Sequence, residues 1–135
     1  MKINQTQIDQ IVNYLTTKIS SYLIILFGSG IKGTMMQDSD IDIAFLTERR
    51  LTDYETFMAA QELADRLGKE IDLVNLEHAS TVFKVQVIGT GKIIYDREPD
   101  RRIVFQMNSF KEYATLNEER QCIFDKLNES GSMYD

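Results

Sequence analysis

The sequence predicts an α/β (α+β) fold in which a small mixed β-sheet is flanked by helices and followed by a further helix at the C-terminus. Two observations support this prediction. Short apolar runs rich in β-branched residues alternate with longer segments whose apolar residues recur at helical spacing. The chain has 135 residues and no internal repeat or linker, so we expect one domain over residues 1–135, with its core at about 1–95.

The composition restricts the classes of protein to which the chain can belong. Its apolar runs reach about six residues, far below the roughly 18 that indicate a membrane span, so we expect no membrane partner. The net charge of −6 disfavours direct nucleic-acid binding, because a phosphate backbone attracts a basic surface. Cys122 has no second cysteine with which to form a disulfide, and we expect no signal peptide after Met1. The predicted location is therefore cytoplasmic.

The first part of the chain predicts one helix and two strands. Residues 4–19 carry apolar side chains at the spacing of an amphipathic helix, namely Ile8, Ile11, Val12, Leu15 and Ile19. Tyr22–Phe27 is apolar without interruption, which is typical of a buried central strand. After a glycine-containing loop, Asp40–Leu46 forms the second predicted strand.

The middle of the chain predicts a capped helix and a third strand. Thr52 and Glu55 fit a capping box, in which each side chain binds the backbone N–H of the other residue. Gly68 is suited to end that helix, because glycine readily takes the left-handed conformation. The third predicted strand is Glu70–Leu76. The apolar face of the helix is predicted to consist of Phe57, Ala60, Ala64 and Leu67.

The last third of the chain is less uniform in its signals. Residues 79–88 fit either a helix or a strand, and the sequence leaves both possibilities open. Lys92–Tyr95 predicts a short edge strand, and a helical segment follows from about residue 98 to 127. Part of the apolar side of that segment is marked by Phe110, Tyr113, Leu116, Ile123 and Leu127.

Two aspartates stand at the entrance of the second strand. Alternation along a strand directs Asp40 and Asp42 to the same face, with their Cα atoms roughly 6–7 Å apart. Carboxylates this close repel each other and raise one another's pKa unless a cation lies between them. The turn Gly28-Ser29-Gly30 ends the preceding strand and offers backbone N–H groups opposite them. This combination predicts a site for a metal ion and a phosphate group.

Two other motifs use the same glycines, and the sequence argues against both. Gly28-x-x-x-x-Gly33 begins like a P-loop, but the phosphate-binding lysine is missing from the next position. Gly28-x-Gly30-x-x-Gly33 matches the dinucleotide-binding fingerprint, with Glu48 twenty residues after Gly28. That fingerprint requires a helix after its third glycine, and only residues 34–39 remain before the next strand. The dinucleotide hypothesis is therefore the weaker one.

The third interpretation rests on Gly28-Ser29, ten further residues and then Asp40-x-Asp42. In this pattern the chain resembles the minimal nucleotidyltransferase (MNT) family of the polymerase-β-like superfamily. The resemblance extends to Asp72, because the family carries a third carboxylate on a neighbouring strand. It implies a polymerase-β-like nucleotidyltransferase fold.

Two details of the resemblance leave alternatives. Glu70 or Glu77 takes the place of Asp72 if the register of the third strand shifts. Many relatives have Ser-x-Ala-Arg-Gly after the first glycine, whereas this chain has Lys32 where they have arginine. Lysine keeps the positive charge but lacks the guanidinium fork, so we expect it to contact phosphate as a single charge.

The resemblance implies nucleotidyl transfer from ATP with two Mg²⁺ ions. Asp40 and Asp42 would hold both ions, and Asp72 would complete the site of the ion nearer the attacking hydroxyl. Asp72 is also the candidate base for the hydroxyl proton. The phosphates would be bound by Gly28, Ser29, Gly30 and Lys32.

The small size of the chain directs the resemblance to one branch of the family. Small single chains with this pattern and a long C-terminal helix resemble the antitoxin of HEPN/MNT toxin–antitoxin pairs, which are type VII-like systems. This implies transfer of AMP to a tyrosine of a HEPN-domain ribonuclease toxin within a hetero-oligomer. Two alternatives remain, namely a small-molecule nucleotidyltransferase of the antibiotic-modifying type and a non-catalytic antitoxin that acts by occlusion.

Overall fold

The computed structural model describes residues 3–28 and 40–129 of the protein. The elements follow one another as α1 (Gln5–Lys18), β1 (Ser21–Phe27), β2 (Ile41–Thr47), α2 (Asp53–Leu67), β3 (Ile71–Asn75), α3 (Thr81–Thr90), β4 (Lys92–Asp96) and α4 (Pro99–Glu129). A 3-10 turn, Leu76–His78, links β3 to α3. The strands and helices that the sequence predicts are present, and their bounds differ from the predicted ones by one or two residues.

The four strands form one mixed sheet in the order β3-β2-β1-β4. β1 runs antiparallel to both of its neighbours, and β2 runs parallel to β3. All residues of β1 except Phe27 are buried, which confirms the prediction of a buried central strand. A mixed sheet with flanking helices and a C-terminal helix confirms the predicted fold class.

Each face of the sheet carries a core of its own. The core between the sheet and helices α1 and α2 includes Ile11, Leu15, Ile43, Phe45 and Leu63. The core on the opposite face includes Leu23, Ile25, Leu46 and Val87, with Phe105 of α4 packed against it. Both faces of the sheet are thus covered by apolar side chains. We therefore look for polar functional groups at the ends of the strands and at the edges of the sheet.

The two helices on the first face begin with capping boxes. Thr52 Oγ1 accepts a hydrogen bond from the Glu55 N–H, and the Glu55 side chain accepts one from the Thr52 N–H, as predicted. Asn4 and Gln7 form the same arrangement at the start of α1. Gly68 ends α2 in the left-handed conformation with φ +66°, which confirms its predicted role.

The predicted apolar face of α2 is wrong in part. Ala60 is buried, but Phe57 is 57% exposed, and the buried face is completed by Ala59 and Leu63. Each residue turns a helix by about 100°, so Phe57 lies beside this face rather than on it. The two alanines let the helix lie close to the sheet, and the large ring stays outside.

The structure decides the ambiguous segment in favour of a helix. α3 begins after Ser80, whose hydroxyl accepts a hydrogen bond from the Phe83 N–H, and it ends at Gly91. β4 is an edge strand, as predicted. The predicted apolar side of α4 is wrong at Phe110, which is 47% exposed, because the preceding residue, Ser109, is the one that is buried. No helix in the described part of the chain is both long and apolar enough to span a membrane.

Candidate active site

The acidic residues lie at one end of three neighbouring strands. In the antiparallel pair of β1 and β2, Phe27 at the end of β1 is opposite Asp42 at the start of β2. In the parallel pair of β2 and β3, Asp42 is opposite Asp72. Neighbouring strands are about 4.8 Å apart, so Gly28, Asp42 and Asp72 are brought to the same edge. Asp40 stands just before β2 rather than on it, which corrects the predicted start of the strand by one residue.

Asp42 and Asp72 share a face of the sheet. Ile41 and Ile43, on either side of Asp42, belong to the core under α1 and α2, and Leu73 beside Asp72 belongs to it as well. Because side chains alternate along a strand, the two carboxyl groups point to the opposite face. Asp42 is half-buried, whereas Asp72 is exposed. The register therefore places Asp42, from the predicted Asp40-x-Asp42 motif, beside Asp72, the predicted third carboxylate.

The electrostatics of Asp42 connect it to both other aspartates. Burial raises the pKa of the Asp42 carboxyl above its ordinary value, and the charges of Asp72 and Asp40 raise it further. Each of these causes disfavours the ionised carboxylate. A cation placed among the three groups would relieve this repulsion, and the arrangement is the one expected of groups that work with a bound cation.

Glu70 is a fourth carboxyl group beside this cluster. Its pKa is raised by a hydrogen bond with the Asp40 carboxyl, then by the charge of Asp40. Its backbone oxygen accepts a hydrogen bond from the Ile41 N–H at 2.9 Å, which fixes the start of β2 against β3. The sequence named Glu70 only as a substitute for Asp72. Glu70 lies just before β3 and two residues before Asp72, and this alternate spacing is the sequence signal that it belongs to the cluster.

The other proposed substitute lies elsewhere. Glu77 is in the 3-10 turn that follows β3, and it lines a cavity with Tyr22 and Arg101 near the opposite end of the sheet. The register of β3 therefore selects Asp72, because that residue is the one opposite Asp42.

Gly28 is fitted to Asp42. Its φ of +79° lies in the left-handed region, which other residues rarely adopt. A Cβ atom at this position would lie 2.2 Å from Asp42 Oδ2. A side chain would therefore occupy the space that the carboxylate takes. Ser29, Gly30 and Lys32 lie outside the described residues, and their phosphate contacts stay predictions.

The carboxylate oxygens of the aspartates are the type of ligand that Mg²⁺ binds. Mg²⁺ prefers oxygen ligands and commonly takes one or two protein carboxylates together with substrate phosphates. In residues 3–28 and 40–129, however, no three His, Cys, Asp or Glu side chains converge as a ready-made metal site. The strand register places Asp42 directly opposite Asp72 at this end of the sheet.

A cleft opens beside Asp72 at the free edge of β3. It has a volume of about 460 Å³ and lies between β3 and α2. Phe57 and Val74 contribute apolar surface to it, and Gln61 and His78 contribute polar groups. Asp72 is one of the residues that line this cleft, and its exposure on the edge strand leaves it accessible to a large acceptor.

Comparison with known proteins places this site in a family context. The family model described as polymerase beta, nucleotidyltransferase matches residues 9–100, which include all the aspartates discussed above. The protein adenylyltransferase MntA of Shewanella oneidensis is 36% identical to the chain over 126 residues. That alignment covers 93% of this chain and 88% of MntA.

Solved structures agree with the sequence comparison. A crystal structure of a toxin–antitoxin complex with AMP-PNP matches with a TM-score of 0.78 and 37% identity, covering 89% of this chain and 97% of the other. A structure of the tri-AMPylated HEPN toxin of Shewanella oneidensis in complex with its MNT antitoxin matches with a TM-score of 0.77 and 34% identity. It covers 93% of this chain and 98% of the other.

Proposed function

Because the chain belongs to the polymerase beta nucleotidyltransferase family, we propose that it transfers AMP from ATP to a tyrosine hydroxyl of a HEPN-domain toxin and is the antitoxin of that pair. The observation that carries the proposal is the likeness, over almost the whole chain, to an adenylyltransferase and to complexes that hold AMP-PNP or an AMPylated toxin. The enzyme is a nucleotidyltransferase, and the acceptor is the proposed part. Use of ATP and the absence of a second cysteine favour a cytoplasmic location.

The proposed reaction assigns the role of base to Asp72. The tyrosine oxygen attacks the α-phosphorus of ATP, the new P–O bond forms, and the bond from that phosphorus to the bridging oxygen of pyrophosphate breaks. The hydroxyl proton passes to Asp72, which is exposed beside the cleft and is the accessible base. Pyrophosphate leaves with the electron pair of the broken bond. AMP stays on the tyrosine oxygen.

The remaining residues of the site bind and orient. Asp40, Asp42 and Asp72 would hold Mg²⁺, which when bound would offset the charge of the triphosphate. Gly28 leaves room for the Asp42 carboxylate and lets the backbone approach the phosphates. Ser29, Gly30 and Lys32 contribute the phosphate contacts that the family resemblance implies.

The test is the intact mass of a HEPN-domain protein from the same genome after incubation with this chain, ATP and Mg²⁺. We expect a gain of one or more AMP units, and we expect none with Asp42→Asn or Asp72→Asn. Asp65→Asn is the matched control, since it removes an exposed carboxylate on α2 away from the site.

Two outcomes would contradict the proposal in different ways. Full labelling by Asp42→Asn would show that AMP transfer does not need the carboxylate cluster. A tight complex without any labelling would indicate an antitoxin that acts by occlusion, because binding would then neutralise the toxin without chemistry.

A further inference from the structure

Helix α4 is the longest helix in the described part of the chain. Its 31 residues span about 46 Å. Near its start, Arg102 Nε donates to Asp96 Oδ2 at 2.6 Å, and Phe105 packs against the core of the second face. Ser109 is 2% exposed, and Glu112 forms an ion pair with Lys84 at 3.7 Å. Beyond Glu112, no described side chain of α4 forms a hydrogen bond or an ion pair with another element.

The side of α4 that faces the body continues past the body as an apolar seam. Arg102, Phe105 and Ser109 are separated by intervals of three and four residues. The same intervals continue through a set that we call the distal seam, which consists of Tyr113, Leu116, Arg120, Ile123 and Leu127. Alternating intervals of three and four are the a and d spacing by which one helix packs along another. Ile123 is 60% exposed, so this seam ends in solvent.

A helical segment of this kind gains stability from a second helix. Residues 113–129 form no side-chain hydrogen bond or ion pair with another described element, and helices in proteins gain most of their stability from packing of an apolar face. A helix that covers the distal seam would bury its apolar side chains and so stabilise the segment. The spacing thus indicates that the distal seam fits a helix of a partner.

Arg120 distinguishes a second copy of this chain from a different protein. It lies at the centre of the distal seam, seven residues from both Tyr113 and Leu127. Two copies paired in parallel and in register would place Arg120 opposite its counterpart, and so would two antiparallel copies centred on the seam. Like charges facing each other in a seam disfavour pairing. Within the described part of the chain, no ion pair involves Arg120.

We propose that the distal seam is the docking surface for the HEPN-domain partner. The partner contributes a helix with an apolar seam of the same spacing and an acidic side chain opposite Arg120. The charge of Arg120 is then neutralised in the complex, while pairing of two antitoxin copies stays unfavourable. This inference takes the identity of the partner from the proposed function, but it does not depend on the chemistry at the aspartates.

The test is the affinity of full-length variants for a HEPN-domain protein from the same genome, measured by titration calorimetry. We expect Ile123→Asp and Arg120→Glu each to weaken binding by roughly thirtyfold or more, which is the scale of an interface hot spot. Arg120→Lys keeps the charge and is expected to retain most of the affinity. Met107→Asp is the matched control, because Met107 is 65% exposed on the outer side of the same helix. We expect Met107→Asp to bind like the wild type.

Several results would overturn the docking surface. Loss of binding in Met107→Asp but not in Ile123→Asp would place the partner on the outer side of α4. A homodimer of this chain that dissociates in Ile123→Asp would make a second copy the occupant. Equal binding by all variants, with AMP transfer intact, would contradict the distal seam as the docking surface but would leave the proposed function unaffected. A wild-type chain that neither binds nor labels the HEPN protein would overturn both proposals.

Discussion

Gly28 shows how one residue connects the fold to the chemistry. Its backbone ends β1 with a positive φ, and its missing side chain leaves room for Asp42 Oδ2. Gly68 has a similar φ of +66°, yet a Cβ atom there would meet nothing within 4 Å. The two glycines share the backbone requirement, and only Gly28 carries the additional contact with the carboxylate.

Alanine at these two positions separates stability from function. Gly28→Ala and Gly68→Ala are each expected to lower the free energy of unfolding by about 1–2 kcal/mol, because a residue with a Cβ atom is strained at positive φ. Only Gly28→Ala displaces the Asp42 carboxylate, so only that variant is expected to lose nucleotidyl transfer. Urea unfolding and AMP labelling of both variants measure the two effects. Equal labelling by both would contradict the role of Gly28.

Asp42 gives a second prediction at this scale, concerning pH. Burial and the charges of Asp72 and Asp40 raise its pKa in the folded protein, so the native state binds this proton more tightly than the unfolded chain does. The contribution of the group to stability is therefore present at low pH and lost as pH rises through the folded pKa. Asp42→Asn is expected to stabilise the metal-free protein at pH 7, by less than about 1 kcal/mol because solvent screens a half-buried group.

The pH dependence of the difference in unfolding free energy between Asp42→Asn and the wild type tests this explanation. In EDTA, the gain from Asp42→Asn in urea unfolding is expected to shrink as pH falls through the raised pKa of the Asp42 carboxyl, because the wild-type group then becomes protonated. Asp65→Asn should give no comparable gain. A constant gain over the whole pH range would show that amide packing, rather than relief of charge repulsion, is responsible.

At the scale of elements, Gly91 and Gly89 form another matched pair. A Cβ atom at Gly91 would lie 2.4 Å from Ile25 Cγ2 and 2.6 Å from the Val87 carbonyl oxygen, where α3 passes close to β1. Backbone cannot move aside cheaply, so Gly91→Ala is expected to destabilise the protein by about 1–3 kcal/mol. Gly89 lies within α3 with open space around it. Gly89→Ala is expected to stabilise by about 0.5–1 kcal/mol.

Thermal or urea unfolding of the two variants checks this prediction directly. Opposite signs would confirm that α3 lies tightly against the sheet at its C-terminal end alone. A destabilised Gly89→Ala variant would contradict the helix assignment of this segment, since alanine favours a helix interior over glycine.

The sequence predicted most elements because their signals are local. The capping box of Thr52 and Glu55, the turn at Gly68 and the apolar run of β1 each depend on neighbouring residues, and each is confirmed. The segment at 79–88 had no periodic signal that separates helix from strand, and the contact with Phe105 and the sheet decides it. The position of Phe57 depends on how closely α2 approaches the sheet, which no local pattern specifies.

The site shows the same division between local and distant information. The spacing of Gly28, Asp40 and Asp42 identified the edge of the sheet where the acids meet. The pairing of Asp72 with Asp42 required the register of a parallel strand pair, which the sequence left open between three acidic residues. The place of Glu70 beside the start of β2 follows only from that register. Roles for Ser29, Gly30 and Lys32 stay predictions from the family resemblance.

At the scale of the whole molecule, the chain divides into a compact body and a projecting helix. Among the described residues, neither hydrophobic core includes a residue after Phe105, and the last side-chain hydrogen bond and ion pair between α4 and the body are made by Glu112. The residues that bring the aspartates together all lie in the body. The distal part of α4 contributes apolar surface without contributing to either core.

This division predicts the behaviour of a chain shortened after Glu112. The free energy of unfolding is expected to change by less than about 1 kcal/mol, because the deletion removes no buried core residue. Far-UV circular dichroism should report the lost helix, and thermal unfolding should stay close to that of the full chain. Binding of ATP with Mg²⁺ is expected to persist, since the aspartates and Gly28 are retained. A shortened chain that unfolds would show instead that the projecting part of α4 stabilises the body. That part of the helix would then serve both in stability and in docking of the partner.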